Sequence, residues 1–400
     1  MSELKRSSFW ARNRVAVGTL LTTVFVALLI GCGGGGGGGG GTSATATATA
    51  TSTATAGTTA TAGTTATATS TATAGTTSTA GTTGTPSWIP ANKIFYTAAD
   101  PTDGTVTQVR RINPDGASDV LFQSLPNKFA ALGANPNVTN QLFFAFTTSS
   151  NPGSDPNATY SLYRNTTVSL AGATKLTNTG NNPFNLVGTI QFTPDGTTVI
   201  FTASIGSDHA IYKMSPNGSG LTRIVTADDA NLSPDGSKIV YSQSQGAQGD
   251  IFWIGLNETT GHSVISTVDT DEIMPQWSKD GTKIVYAAKA TSSPTAPFSI
   301  FVKTFNSAAA GVKVTANTDN NLSPTYSADN AQVAYVRLSS VNVAASGIYK
   351  VPVAGGSESQ VVANASVQPG LYWTSNTGRS ESGLSLYMNR NLRYVKFGSP

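Results

Sequence analysis

From residue 87 onward this chain repeats one turn-and-strand signature, and that repetition limits the folds open to it. FTPDGTTVIF begins at Phe192, LSPDGSKIVY at Leu232, WSKDGTKIVY at Trp277 and YSADNAQVAY at Tyr326. Their aspartates, Asp195, Asp235, Asp280 and Asp329, are spaced by 40, 45 and 49 residues. Weaker copies begin at Ala134 and Tyr372. A second element follows each first one: IYKM at Ile211, IFWI at Ile251, IFVK at Ile300 and IYKV at Ile348, with shorter relatives at Gln108 and Leu162. A third, weaker strand comes next, as at Leu221 and Val312.

Each residue type has a local reason. Proline presets φ for a turn, and an aspartate carboxylate accepts turn N–H groups. The glycines Gly196, Gly236 and Gly281 suit a left-handed backbone. The residues after each turn are β-branched or aromatic and suit a strand packed on both faces. Three or four short strands per repeat, without helical periodicity, predict the blades of an all-β propeller over residues 86–400. Tyr241, Trp253, Trp277 and Tyr286 are expected to pack between blades. Apolar second strands start near Ile94, Leu142, Val199, Ile239, Ile284, Val333 and Leu384, which favours seven blades over six. In a six-bladed ring a strand near Tyr372 would close against Ile94, leaving the last residues as an extension.

The SPDGxxIxY and IYxMxxxG elements, the latter seen as Ile211-Tyr212-Lys213-Met214 before Asn217-Gly218, resemble the TolB-type propeller repeat. That repeat is known also from the propeller domains of prolyl oligopeptidase relatives. The resemblance covers about residues 90–390. It implies a propeller superfamily, usually of six blades, and no single function. TolB proper has an additional N-terminal α/β domain; here a low-complexity tract takes its place, so no Tol–Pal-like role comes with the resemblance.

The N-terminus reads as an export signal. Lys5, Arg6, Arg12 and Arg14 precede the uncharged apolar run 15–30. Leu29-Ile30-Gly31-Cys32 resembles the lipobox of bacterial lipoproteins. The resemblance implies a signal peptide over residues 1–31, cleavage after Gly31, and lipidation of Cys32 as the first mature residue. Cys32 is the sole cysteine, so no intrachain disulfide is available. Acyl chains bury enough CH₂ groups, at roughly 0.8 kcal/mol each, to anchor a protein stably. Gly33 in place of aspartate favours the outer membrane, by the same analogy, if the cell is Gram-negative.

Residues 33–41 are all glycine, and 42–85 are almost wholly Thr, Ala, Ser and Gly. Such a stretch has too little apolar surface to offset the entropy of ordering. Residues 32–85 therefore read as a lipidated cysteine followed by a disordered tether, with a coil span of roughly 40 Å. The net charge of +3 misleads, because the first 31 residues hold four basic residues against one acidic and the rest is balanced. Nucleic-acid binding needs a concentrated basic surface, and no basic cluster is present, so nucleic acid is not an expected partner.

Catalytic chemistry is sparsely represented. No Gly-x-Ser-x-Gly elbow occurs. The two histidines, His209 and His262, occupy non-equivalent places in adjacent repeats. Asp269, Asp271 and Glu272 form the one acidic run that a calcium loop could use, although a solvated loop is the plainer reading. Asp228 and Asp229 occupy the corresponding loop one repeat earlier, so acidic loops are expected along one face. Asp195, Asp235, Asp280 and Asp329 read as turn residues, since a catalyst would not recur in every blade.

These features point to a lipid-anchored envelope propeller that binds or scaffolds a protein, peptide or glycan. No cofactor is assigned, and the membrane is a partner through the lipid. An envelope glycan lyase or hydrolase at the channel mouth is the alternative, with carboxylates alone to act. A structural surface component is a third.

Overall fold

The computed structural model describes residues 91–387, except 104, 139–140, 150–157, 178–183, 207, 246–247, 294, 364–365 and 375–384. The signal segment, Cys32 and the tether lie outside the described residues. So do residues 86–90 at the start of the domain.

The described residues form six antiparallel sheets, not seven. Blades 3 to 6 are each built from four consecutive strands, inner to outer. Blade 3 is Leu186–Phe192, Val199–Ile205, Asp208–Met214 and Thr222–Thr226. Blade 4 is Asp229–Leu232, Lys238–Gln245, Gln248–Gly255 and His262–Ile265. Blade 5 is Thr270–Trp277, Lys283–Ala290, Ser299–Thr304 and Val312–Lys313. Blade 6 is Asn320–Tyr326, Gln332–Leu338, Gly347–Pro352 and Ser359–Ala363.

Blade 1 closes the ring. Its outer three strands, Ile94–Ala99, Val106–Ile112 and Val120–Pro126, come from the start of the domain, and its inner strand, Val367–Trp373, from near the end. Ile94 pairs with Trp373 and Phe95 with Tyr372. Lys93 and Thr374 seal the seam, with the Lys93 amide donating to the Thr374 hydroxyl at 2.8 Å. Blade 2 comprises Phe129–Ala134, Leu142–Thr147, Tyr160–Asn165 and Thr174–Lys175. The expected seventh blade at Leu384 is not formed. Ser385–Tyr387 instead joins blade 2 as a fifth strand, on the free edge of Phe129–Ala134. The reason is topological: the ring is already closed between Trp373 and Ile94, so a strand that follows finds no gap between blades to fill.

The core lies between blades. Phe143 of blade 2 meets Phe192 of blade 3 edge-on at 4.8 Å, a favoured aromatic geometry. Tyr241, Trp277 and Tyr286 are buried. Trp253 is half-buried and meets Phe305 of the blade 5 edge at 5.9 Å. Polar side chains on the inner strands add cross-links. The Asn231 side chain of blade 4 accepts the Trp277 amide of blade 5 at 2.9 Å, and Thr325 of blade 6 accepts that of Trp373 at 3.3 Å.

Strand alternation gives the ring two distinct faces. Inner-to-second and third-to-fourth connections lie on one, here the turn face. The other, the crossover face, carries the second-to-third connections and the loops that pass from blade to blade.

Candidate functional site

The repeated aspartates all lie on the turn face, between inner and second strands. Asp195, Asp235, Asp280 and Asp329 each accept a hydroxyl two residues back, from Thr193, Ser233, Ser278 and Ser327, at 2.5 to 2.6 Å. Each also accepts an amide two residues on, from Thr197, Ser237, Thr282 and Ala331, at 3.0 Å. The same hydroxyls receive the amides of Thr198, Lys238, Lys283 and Gln332. Donors to the charged carboxylate lower its pKa. Asp235 falls to about 2 although its partial burial opposes the shift, and Asp195, Asp280 and Asp329 are lowered with it. Gly196, Gly236 and Gly281 have φ of 70°, 71° and 69°, and Asn330 takes the same place in blade 6 at 59°. A cleft of about 410 Å³ separates the turns of blades 3 and 4, lined in part by Asp195, Lys213, Asp235 and Asn257. Lys213 crosses beside it to the Leu256 carbonyl at 2.7 Å.

The crossover face is different in kind. Where blades 4 and 5 meet, it gathers carboxylates from several segments. Asp228 precedes the inner strand of blade 4 and accepts the Ser244 amide and hydroxyl at 2.8 and 2.6 Å. Asp250, buried, lies near the start of the third strand of blade 4. Asp271 and Glu272 begin the inner strand of blade 5, and Asp271 accepts the Gly249 amide of blade 4 at 3.0 Å.

Glu272 is only 1% exposed, and its Oε2 has no hydrogen-bond partner. Burial, with the adjacent Asp250 and Asp271 charges adding to it, pushes its pKa up to about 8, against a bond from Thr267 that lowers it. Asp271 is raised too, first by burial, while the Gly249 bond and Lys289 oppose the shift. Packing fixes this arrangement. A Cβ at Gly249 would stand 2.7 Å from the Glu272 carbonyl oxygen, so only glycine lets the two blades approach so closely.

Among the described residues no group of three His, Cys, Asp or Glu side chains is arranged to hold a metal ion. Adjacent strand residues point to opposite sheet faces, which separates Asp271 from Glu272, and Asp269 sits in a turn at φ 67°. The histidines are not brought together either. His209 lies at the crossover end of the third strand of blade 3, and His262 at the turn-face start of the outer strand of blade 4. There His262 stacks on Trp253 at 4.4 Å and contacts Glu258 at 3.1 Å.

Two residues of this face carry no signal in the sequence. Val268 is 82% exposed and Val341 is 94% exposed, on the loop from blade 4 to blade 5 and on the second-to-third loop of blade 6. The other exposed large apolar side chains among the described residues are 41 to 60% exposed and belong to the turn face or outer edges. Asp250 is likewise unmarked. Its place in the acidic group depends on the pairing of blades, and no local motif singles it out.

No protein-family model matches the chain, and no curated protein does. Solved structures match in fold. A TolB structure from Agrobacterium tumefaciens aligns over 74% of this chain and 99% of its own, with TM-score 0.51 and 14% identity. A puromycin hydrolase aligns over 68% of this chain and 52% of its own, with TM-score 0.50 and 10% identity. TolB from Acinetobacter baumannii aligns over 74% of this chain, which spans 63% of that protein, with TM-score 0.49 and 14% identity. The described domain has the TolB-like β-propeller fold.

Proposed function

We propose that this propeller is a non-catalytic binding module held at the cell envelope by a lipid on Cys32, and that its crossover face receives a protein or peptide partner. The observation that carries the reading is the pairing, on one face, of the two most exposed large apolar side chains among the described residues, Val268 and Val341, with the half-buried carboxylates Asp228 and Asp271. Apolar loop tips on a rigid scaffold are common contact points. Acidic neighbours favour a partner with basic residues and speed its approach. The lipobox-like Leu29-Ile30-Gly31-Cys32 and the uncharged tract after it support display on a tether.

A photo-crosslinking residue introduced in the full chain at position 268 or 341, in its own cells, tests the face. Discrete covalent adducts are expected at both positions and not at Leu221, an exposed apolar residue of the turn face. Adducts from position 221 alone, or equally from all three, would overturn the assignment.

A further inference from the structure

Among the described residues, blade 2 alone carries a fifth strand. Ser385, Leu386 and Tyr387 pair antiparallel with Gly133, Leu132 and Ala131 on the inner strand Phe129–Ala134. The outer side of that strand is already bonded to Leu142–Thr147, so the addition lies on its inner edge. Ser385–Tyr387 also lies against the inner strands of blades 1 and 3. It therefore stands in the central channel. Being antiparallel to the inner strand, it runs from the turn face toward the crossover face.

An inner edge offers unpaired backbone N–H and C=O groups, the template for strand addition. The six edges are not equivalent. Register shifts interrupt the inner strands of blades 1, 3, 5 and 6 midway, and Met274 and Ser323 have φ of 54° and 51° within them. In blade 2 the irregularity falls at the start, between Phe129 and Ala131, and leaves 131–134 in regular register. Its sequence, Phe-Ala-Ala-Leu-Gly-Ala, is small and carries no charge. Blade 4 is regular too, but its short inner strand carries Asp229 and Asn231.

We propose that the inner edge of blade 2 is a strand-addition site for an extended peptide, and that Ser385–Tyr387 fills it from within the chain. A partner's peptide then binds by replacing this strand, so the propeller is self-blocked until the strand leaves. The direction of the strand sets the ligand's chemistry. A peptide lying as Ser385–Tyr387 does emerges at the acidic crossover face, so its recognition sequence is a short uncharged stretch followed by basic residues. The chain's own sequence has that form: after Tyr387 come Arg390, Arg393 and Lys396, with no acidic residue before Pro400. This deepens the proposed binding role and rests on it for the partner, but not for the strand.

Two arms in the full chain test it. In a Cys32→Ala background, Ala131→Cys with Tyr387→Cys places thiols on directly opposed residues, about 4.5 to 5.5 Å apart at Cα, within disulfide range. Ala131→Cys with Ser385→Cys is two residues out of register and beyond that range. Oxidation should bridge the first pair and spare the second; equal bridging, or none, overturns the strand placement.

The second arm measures binding of a fluorescent peptide of residues 383–396. A tethered strand competes at an effective concentration on the order of millimolar. The wild-type chain should therefore bind the peptide about tenfold or more weakly than a Leu386→Pro, Tyr387→Pro chain, and a scrambled peptide should not bind. Equal affinities, or no binding by a proline variant that still melts cooperatively, overturn the site. If that variant does not fold, the bridged and reduced forms of the first pair are compared. Loss of peptide binding on bridging supports the site, and unchanged binding overturns it. Because the crosslinking arm needs no partner, it separates failure of the strand from failure of the binding role.

Discussion

The side-chain amide of Gln191, on the inner strand of blade 3, accepts the Leu232 amide of blade 4 at 2.6 Å. Its Nε2 donates to the Ala230 carbonyl on the same neighbouring strand at 3.0 Å. One buried side chain of blade 3 thus holds the inner-strand backbone of blade 4 at two points. With Asn231 to Trp277 and Thr325 to Trp373, it belongs to a set of inner-strand links between successive blades. Gln191→Leu should remove both bonds and leave a buried donor and acceptor unpaired, for a loss of about 2 to 4 kcal/mol. Denaturant unfolding at fixed m-value measures it. Gln191→Glu should not rescue, because Nε2 can no longer donate to Ala230.

The turn aspartates should act alike. Removing Asp235, Asp195 or Asp280 takes away a hydroxyl and an amide contact, and each alanine variant should lose about 1 kcal/mol, the usual cost of an exposed cap. The sites sit in different blades, so the losses should add approximately. The folded-state pKa of Asp235 is depressed to about 2. Its contribution is therefore present above the ordinary carboxylate range and lost as pH falls from about 4 to about 2. Thermal melts of the three variants across that window test the shared role. One variant losing far more than the others would break the equivalence.

Gly261 of blade 4 and Gly311 of blade 5 precede the outer strands and face the hydroxyls of Tyr241 and Tyr286. A Cβ at either glycine would collide with the phenol oxygen. Both tyrosines are buried, and burial pushes the Tyr241 phenol up to about 12. Gly261→Ala and Gly311→Ala should each destabilise by about 1 to 3 kcal/mol, the range for overpacking. Tyr241→Phe should restore part of the first loss and none of the second. A double-mutant cycle with no coupling between positions 241 and 261 would count against the packing described.

The blades were legible because turn chemistry and strand alternation are local. Asp195, Asp235 and Asp280 carry their glycine and following strand with them, and so reveal the repeat. Blade number was not. Closure depends on Ile94 finding Trp373 at the other end of the domain, and nothing local to Leu384 distinguishes a second strand from an added fifth one. Blade 2, whose chain runs from Phe129 to Phe184 before blade 3 begins, also stretches the spacing that a fixed repeat length assumes. The acidic face was legible in the loops at Asp228 and Asp271. It was not legible in Asp250, which joins them through contact between blades, nor in the burial of Glu272, which depends on a strand register that sequence leaves open.

The burial of Glu272 makes stability depend on pH. Glu272 titrates near 8 in the folded protein, raised chiefly by burial and then by Asp250 and Asp271. In the unfolded chain it should titrate near the ordinary glutamate value of about 4.3. Between those two pH values the folded state holds a proton that the unfolded state has released. Stability therefore falls as pH rises through this window, and levels off above about 8. The turn aspartates have the opposite sign and act at lower pH, so the two effects do not overlap. Glu272→Gln keeps the shape and hydrogen-bonding capacity of the protonated acid. It should come close to the wild type near pH 4 to 5, exceed it by about 3 to 4 kcal/mol at pH 8, and flatten the profile between. Urea unfolding of both chains at unit pH steps reads the difference directly. Parallel profiles for the two chains would show that folding does not raise the pKa of Glu272.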